Sequence, residues 1–137
     1  MGFEVFLESF GETQKTGLPK AAIRGLFPAV DSGSEGTYWR ISYDSLNQCD
    51  IDVTPLQNDS DRLTGLCVHR PCADMRLWES LYQILKMGSM VLFFPGGPPI
   101  LAKGSSAAGL PQEMTDSIGD PVYLDSGEAI VRVVQQC

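Results

Sequence analysis

Apolar and polar residues alternate with period two over Phe3 to Phe10, where Phe3, Val5 and Leu7 stand against Glu4, Phe6 and Glu8. This predicts a first strand whose second face is mixed. After a polar turn from Gly11 to Gly17, Pro19 stands at a natural first helical position. Ala21, Ala22, Ile23, Leu26 and Phe27 then supply a short amphipathic face that Pro28 ends. Asp31 to Gly36 (DSGSEG) reads as a loop by composition. Three strand-like runs follow, Thr37 to Tyr43, Cys49 to Leu56 and Arg62 to Arg70, and their short, turn-rich connections force antiparallel pairing.

The faces of these runs suggest a register. Setting Ile41 opposite Ile51 brings Trp39 to Val53 and Tyr43 to Cys49 on a core face, which Leu66 and Val68 extend into the third strand. The other face then pairs Arg40 with Asp52 and Ser42 with Asp50, and gathers Tyr38, Cys67 and His69 beside them.

From Ala73 to Met87 the spacing of Leu77, Trp78, Leu81, Ile84 and Leu85 is helical, with Gly88 placed to end the helix in the left-handed conformation. Met90 to Phe94 is short and uniformly apolar, as a strand buried on both faces would be, and Pro95 to Pro99 (PGGPP) ends it. A short helix from Pro111 through Ile118 and a brief strand at Val122 to Leu124 follow. Asp125 with Glu128 three residues on forms a capping-box-like start for a last helix, docked by Ile130, Val131, Val133 and Val134. The expected order is strand, helix, three strands, helix, strand, short helix, strand, helix. That is a single α+β domain over residues 1–137, a mixed, largely antiparallel sheet with helices packed mainly on one face.

Composition narrows the classes. The chain has 137 residues, 43% of them apolar, and a formal net charge of -7. The apolar content excludes disorder, and the length suffices for a core without a metal or disulfide staple. The negative field repels phosphate backbones and anionic lipid heads, so neither nucleic acid nor a membrane surface is expected as a partner, whereas a basic protein would suit it. Met1 to Phe10 carries Glu4 and Glu8 and has no basic flank, so it does not read as a secretory signal. No apolar run reaches the ~20 residues of a membrane helix. Cys49, Cys67, Cys72 and Cys137 form no CxxC pair, and free thiols in a reducing, cytoplasmic setting are expected.

Three kinds of chemistry can be assembled. Cys67-x-His69-x-x-Cys72 is the sharpest local metal pattern, since Cys67 and His69 share a strand face. Small buried thiols beside a hydrogen-bonded imidazole explain it better, so no metal or cofactor is expected. An acid–base site would centre on His69 with Asp50 as its orienter, Arg40 as an anion binder and Cys67 as a nucleophile. A cross-strand ion pair on a solvated sheet face accounts for the same residues. No phosphate-binding loop, serine-nucleophile elbow or zinc-protease helix is spelled out.

Recognition through surfaces remains. Asp50, Asp52, Asp59 and Asp61 are expected to steer a partner, and the stiff apolar loop with Phe94, Pro95, Gly96, Gly97, Pro98 and Pro99 is a candidate binding lip. The favoured reading is a small bacterial, intracellular, non-catalytic protein-binding module, in one form an inhibitor or immunity-type protein against a basic toxin. A small hydrolase-like enzyme on His69 with Asp50, or a small-molecule-binding module, is the alternative.

Overall fold

The computed structural model describes residues 3–28, 30 and 36–136. The elements are β1 (Glu4–Ser9), α1 (Glu12–Thr16), β2 (Leu18–Pro19), α2 (Lys20–Gly25), β3 (Tyr38–Asp44), β4 (Asn47–Leu56), β5 (Asp59–His69), α3 (Met75–Met87), β6 (Met90–Phe93), β7 (Ile100–Ala102), α4 (Gln112–Ile118), β8 (Val122–Leu124) and α5 (Gly127–Gln136). The strands form one mixed sheet in the order β3-β4-β5-β1-β6-β7-β8, with β2 paired to β5. Every pairing is antiparallel except β7 with β8. The chain is an α+β protein. Most of the loop expected at Asp31 to Gly36, and Cys137, lie outside the described residues.

The sheet sorts its side chains by the pleat. Val5 and Leu7 of β1, Trp39 and Ile41 of β3, Ile51 and Val53 of β4, and Leu66 and Val68 of β5 turn to one side and are buried. There they meet Ile23 of α2, Leu77, Leu81, Ile84 and Leu85 of α3, and Ile130 of α5. β6, predicted to be buried on both faces, gives Met90 and Leu92 to this core and Val91 to a second cluster with Phe10 and Leu101, against which Met114 of α4 packs.

The register departs from expectation by two residues. Ile41 stands opposite Cys49 and Trp39 opposite Ile51, while Arg40 meets Asp50 and Ser42 meets Gln48. The cause is a tighter turn than the five-residue one implied by strands ending at Tyr43 and restarting at Cys49. Asp44 pairs directly with Asn47, and its Oδ1 accepts from the Leu46 and Asn47 amides at 2.8 and 2.9 Å. Asp side chains favour such turns because they mimic a backbone acceptor. An even shift keeps every side chain on its expected face, so the core and outer sets are those read from the sequence.

Other corrections are local. The polar turn Gly11 to Gly17 contains the helix α1, which buries only Thr13 and so leaves no amphipathic signature. Gly88 is extended (φ -172) rather than left-handed, because the chain runs straight on and the Ser89 amide bonds Thr13 Oγ1 at 2.9 Å. Ile100 and Leu101 return to the core as the strand β7. The first turn of α5 is capped by Ser126, whose Oγ accepts from the Ala129 amide at 3.1 Å, not by Asp125, and Glu128 instead pairs with Arg132.

α5 rests very close to α3. The Gly127 amide donates to Glu79 Oε2 at 3.1 Å, and a Cβ on Gly127 would stand 2.5 Å from the Glu79 backbone nitrogen. Backbone atoms cannot yield as a side-chain tip can, so Gly127→Ala is expected to push the helices apart at a cost of roughly 1–3 kcal/mol. Urea denaturation checks this. A midpoint equal to that of the parent would refute the close packing.

Candidate functional site

On the outer face of the sheet, strand pairing stacks side chains into rows. Tyr38, Asp52, Cys67, Phe6 and Phe93 form one, and Arg40, Asp50, His69 and Glu4 the next. The Phe6 and Phe93 rings stack with centroids 5.2 Å apart. Beyond Phe93 the face is covered by the cluster that includes Ala107, Leu110 and Met114. On β1, β5, β4 and β3 the outward side chains are half-buried or exposed, so among the described residues this half of the face is uncovered.

His69 sits between two carboxylates. Its Nδ1 lies 2.8 Å from Glu4 Oε2 and its Nε2 lies 2.6 Å from Asp52 Oδ2. Asp52 faces Cys67 directly and reaches His69 along the diagonal, a distance that side chains of this size span. A neutral imidazole carries one N–H and one lone pair, so only the protonated ring donates to both partners at once. The same Glu4 oxygen accepts from Cys67 Sγ at 3.2 Å. Burial pushes the Cys67 thiol up to about 12, helped by its hydrogen bond to Glu4 and by the charges of Glu4, Asp52 and Glu8.

Glu8 extends the acidic surface. Its carboxylate lies flat over Gly65, where a Cβ would come within 2.8 Å of Oε2, and burial there raises its pKa. Nearer the β3 edge, the Tyr38 hydroxyl donates to Asp50 Oδ1 at 2.7 Å and accepts from Arg40 at 3.2 Å. The bond to Asp50 raises the Tyr38 pKa. Arg40 Nε lies 3.6 Å from Asp50 Oδ1.

The fold thus brings Arg40, Asp50, Asp52, Cys67 and His69 onto one surface, but with partners other than those expected. The carboxylates on His69 are Asp52 and Glu4; Asp50, the expected orienter, serves Tyr38 and Arg40 because the two-residue shift moves Arg40 onto it. Glu4 was missed as a partner. Its place in the alternating strand was legible, yet nothing local says that β1 lies beside β5.

Cys72 leaves the group altogether. Arg70 takes a positive φ of 51 just past β5, Pro71 is buried, and the chain delivers Cys72 to the core side against Cys49. The Cys67, His69 and Cys72 pattern is therefore split across the sheet. Asp59 and Asp61 are separated from Asp50 and Asp52 as well. Asp61 precedes His69 by eight residues on β5, roughly 25 Å along a strand. It lines a concavity of about 660 Å³ with Lys20, Arg24 and Phe27.

The proposed lip is largely closed on itself. Phe94, Gly97 and Pro99 are buried, Pro98 is half-buried, and only Pro95 and Gly96 are exposed. Gly96, Gly97 and Pro98 border a concavity of about 480 Å³ with Ser117 and Ile118. Of the outer-face residues in the rows above, with Glu8, only Glu8 lines a described concavity, one of about 580 Å³ that includes Gln14, Lys15 and Asn58. Among the described residues no helix is long and apolar enough to cross a membrane. No protein-family model, curated protein or solved structure matches the chain.

The thiol on the core side gives a clean pH test. Burial pushes Cys49 from 9.0 up to about 12, with Cys72 beside it adding to the rise. The folded state then holds this proton more tightly than the unfolded state. Its contribution to stability is complete below about pH 9 and is lost as the pH climbs through about 12. In reducing buffer, Cys49→Val is expected to lose less stability than the parent across that window, as read by denaturation midpoints. Parallel curves would contradict it.

Proposed function

We propose that the chain is a non-catalytic binding module whose open outer face, centred on Glu4, Glu8, Asp50 and Asp52, docks a basic segment of another protein. The carrying observation is the uncovered half-sheet itself. It sets four carboxylates against Arg40 and His69, with the half-buried aromatics Phe6 and Tyr38 among them. Complementary charge speeds encounter and fixes orientation, and aromatic side chains supply the apolar contact that charges lack. The overall charge of -7 adds to the local field.

The acid–base reading draws less support from the same geometry. A general base needs a ring nitrogen free to take a proton in reach of a substrate, and both nitrogens of His69 are engaged. A thiol held up to about 12 is protonated at neutral pH and is a poor nucleophile. The surface around it is a sheet face, whereas small substrates are usually bound in clefts.

A short peptide rich in lysine and arginine is the probe. Titration followed by amide shifts is expected to perturb Phe6, Tyr38, Asp50 and Cys67, with affinity falling as salt rises. Replacing Glu8→Gln together with Asp50→Asn should weaken binding roughly fivefold to tenfold, the sum of two partly exposed charge contacts. Perturbations confined to the Lys20 and Arg24 concavity, absence of binding, or indifference to salt would each overturn the assignment.

A further inference from the structure

We propose that Glu4, Cys67 and His69 form a binding site for a divalent transition ion of the zinc class, with Asp52 as the residue that orients the histidine. The site shares Glu4 and Asp52 with the docking surface, but the inference rests on donor type and geometry rather than on net charge.

The three donor atoms, a carboxylate oxygen, a thiol sulfur and an imidazole nitrogen, lie within 4.8 Å of one another. Glu4 Oε2 is 2.8 Å from His69 Nδ1 and 3.2 Å from Cys67 Sγ. Tetrahedral zinc, with bonds of about 2.0–2.3 Å, holds its ligands roughly 3.3–3.8 Å apart. The two separations from Glu4 need to spread by some tenths of an ångström, and the side chains are half-buried rather than locked in a core. The backbone supplies the arrangement. Cys67 and His69 are two apart on β5 and share its outer face, while Glu4 is the cross-strand partner of His69.

Asp52 makes this more than a chance meeting of polar groups. Metal-binding histidines commonly donate their second ring N–H to a carboxylate, which fixes the tautomer and aims the other nitrogen. Asp52 Oδ2 stands 2.6 Å from Nε2, the ring nitrogen that does not face Glu4. With the proton on Nε2, the Nδ1 lone pair is on the side of Glu4.

Sulfur and nitrogen donors select borderline ions over magnesium or calcium. On binding, the Cys67 thiol and, where Nδ1 carries one, the imidazole give a proton to solvent, and coordinate bonds form from Sγ, Nδ1 and Oε2. The thiolate and carboxylate charges then balance the dication, and no electron is transferred. Three protein ligands leave a fourth position for water or an incoming donor.

Cobalt(II) reports this directly. Added to reduced, chelator-treated protein, it is expected to give the visible bands of a tetrahedral ion and a thiolate-to-cobalt charge-transfer band, saturating at one equivalent and abolished by zinc. Cys67→Ser should remove the charge-transfer band and Cys72→Ser should leave it. Asp52→Asn should keep the spectrum but weaken affinity 10–100-fold, about the usual effect of losing an orienting partner, and Asp52→Glu should restore part of it. Should Cys67→Ser not fold, zinc-edge X-ray absorption of the unaltered chain decides: one sulfur among nitrogen and oxygen neighbours supports the site, and none overturns it. Absence of the band, its survival in Cys67→Ser or its loss in Cys72→Ser refutes the ligand set. An unchanged affinity in Asp52→Asn refutes the orienting role.

Discussion

The pairing of β5 with β1 on one side and β4 on the other is the constraint from which the rest follows. A strand exposes successive side chains to opposite faces, so once these three strands align, Val5, Leu7, Ile51, Val53, Leu66 and Val68 must turn one way and Glu4, Phe6, Asp50, Asp52, Cys67 and His69 the other. The first set draws α2, α3 and α5 onto the sheet. The second set has no such cover on β1, β5 and β4 among the described residues, and its polar groups pair with one another. A slip of one residue would bury the carboxylates and expose the core, a change no local rearrangement could repair.

The composition of the open face explains its chemistry. Opposed carboxylates repel unless a polar group separates and binds them, and the His69 ring lies between Glu4 and Asp52. Arg40 plays the same part for Asp50, with the Tyr38 hydroxyl donating to that carboxylate as well. These contacts are largely exposed, and each adds little to stability in water. Their consequence is positional: they hold donors and charges in a fixed pattern on a rigid sheet, which recognition requires and a mobile loop supplies less well.

What was legible in the sequence is what period two and period 3.6 encode. Alternation assigned the faces of β1, β3, β4 and β5, and helical spacing placed α3 with its buried Leu77, Trp78, Leu81, Ile84 and Leu85. The register was not legible, because two alignments that differ by two residues present the same faces, and the turn that closes on Asp44 and Asn47 goes with the observed one. α1 was hidden since a helix that buries only Thr13 has no stripe to read. Ser126 was passed over because Asp125 and Glu128 spell a cap as well as it does.

The same reasoning explains why a compact pattern is split by the fold and a dispersed one did not show. Cys67, His69 and Cys72 are close in sequence, and a motif of that spacing suits a loop, where neighbours can fold around one point. Here the first two lie on a strand, whose pleat keeps them on one side, and the left-handed turn at Arg70 carries the third to the other. On a sheet the third donor must come from a neighbouring strand, at a separation fixed by topology rather than by local spacing. Glu4 lies 63 residues from Cys67 along the chain, yet their side chains are 3.2 Å apart. Ligand sets on sheets are therefore found by pairing strands first and reading across them, and a short-range motif search passes them by.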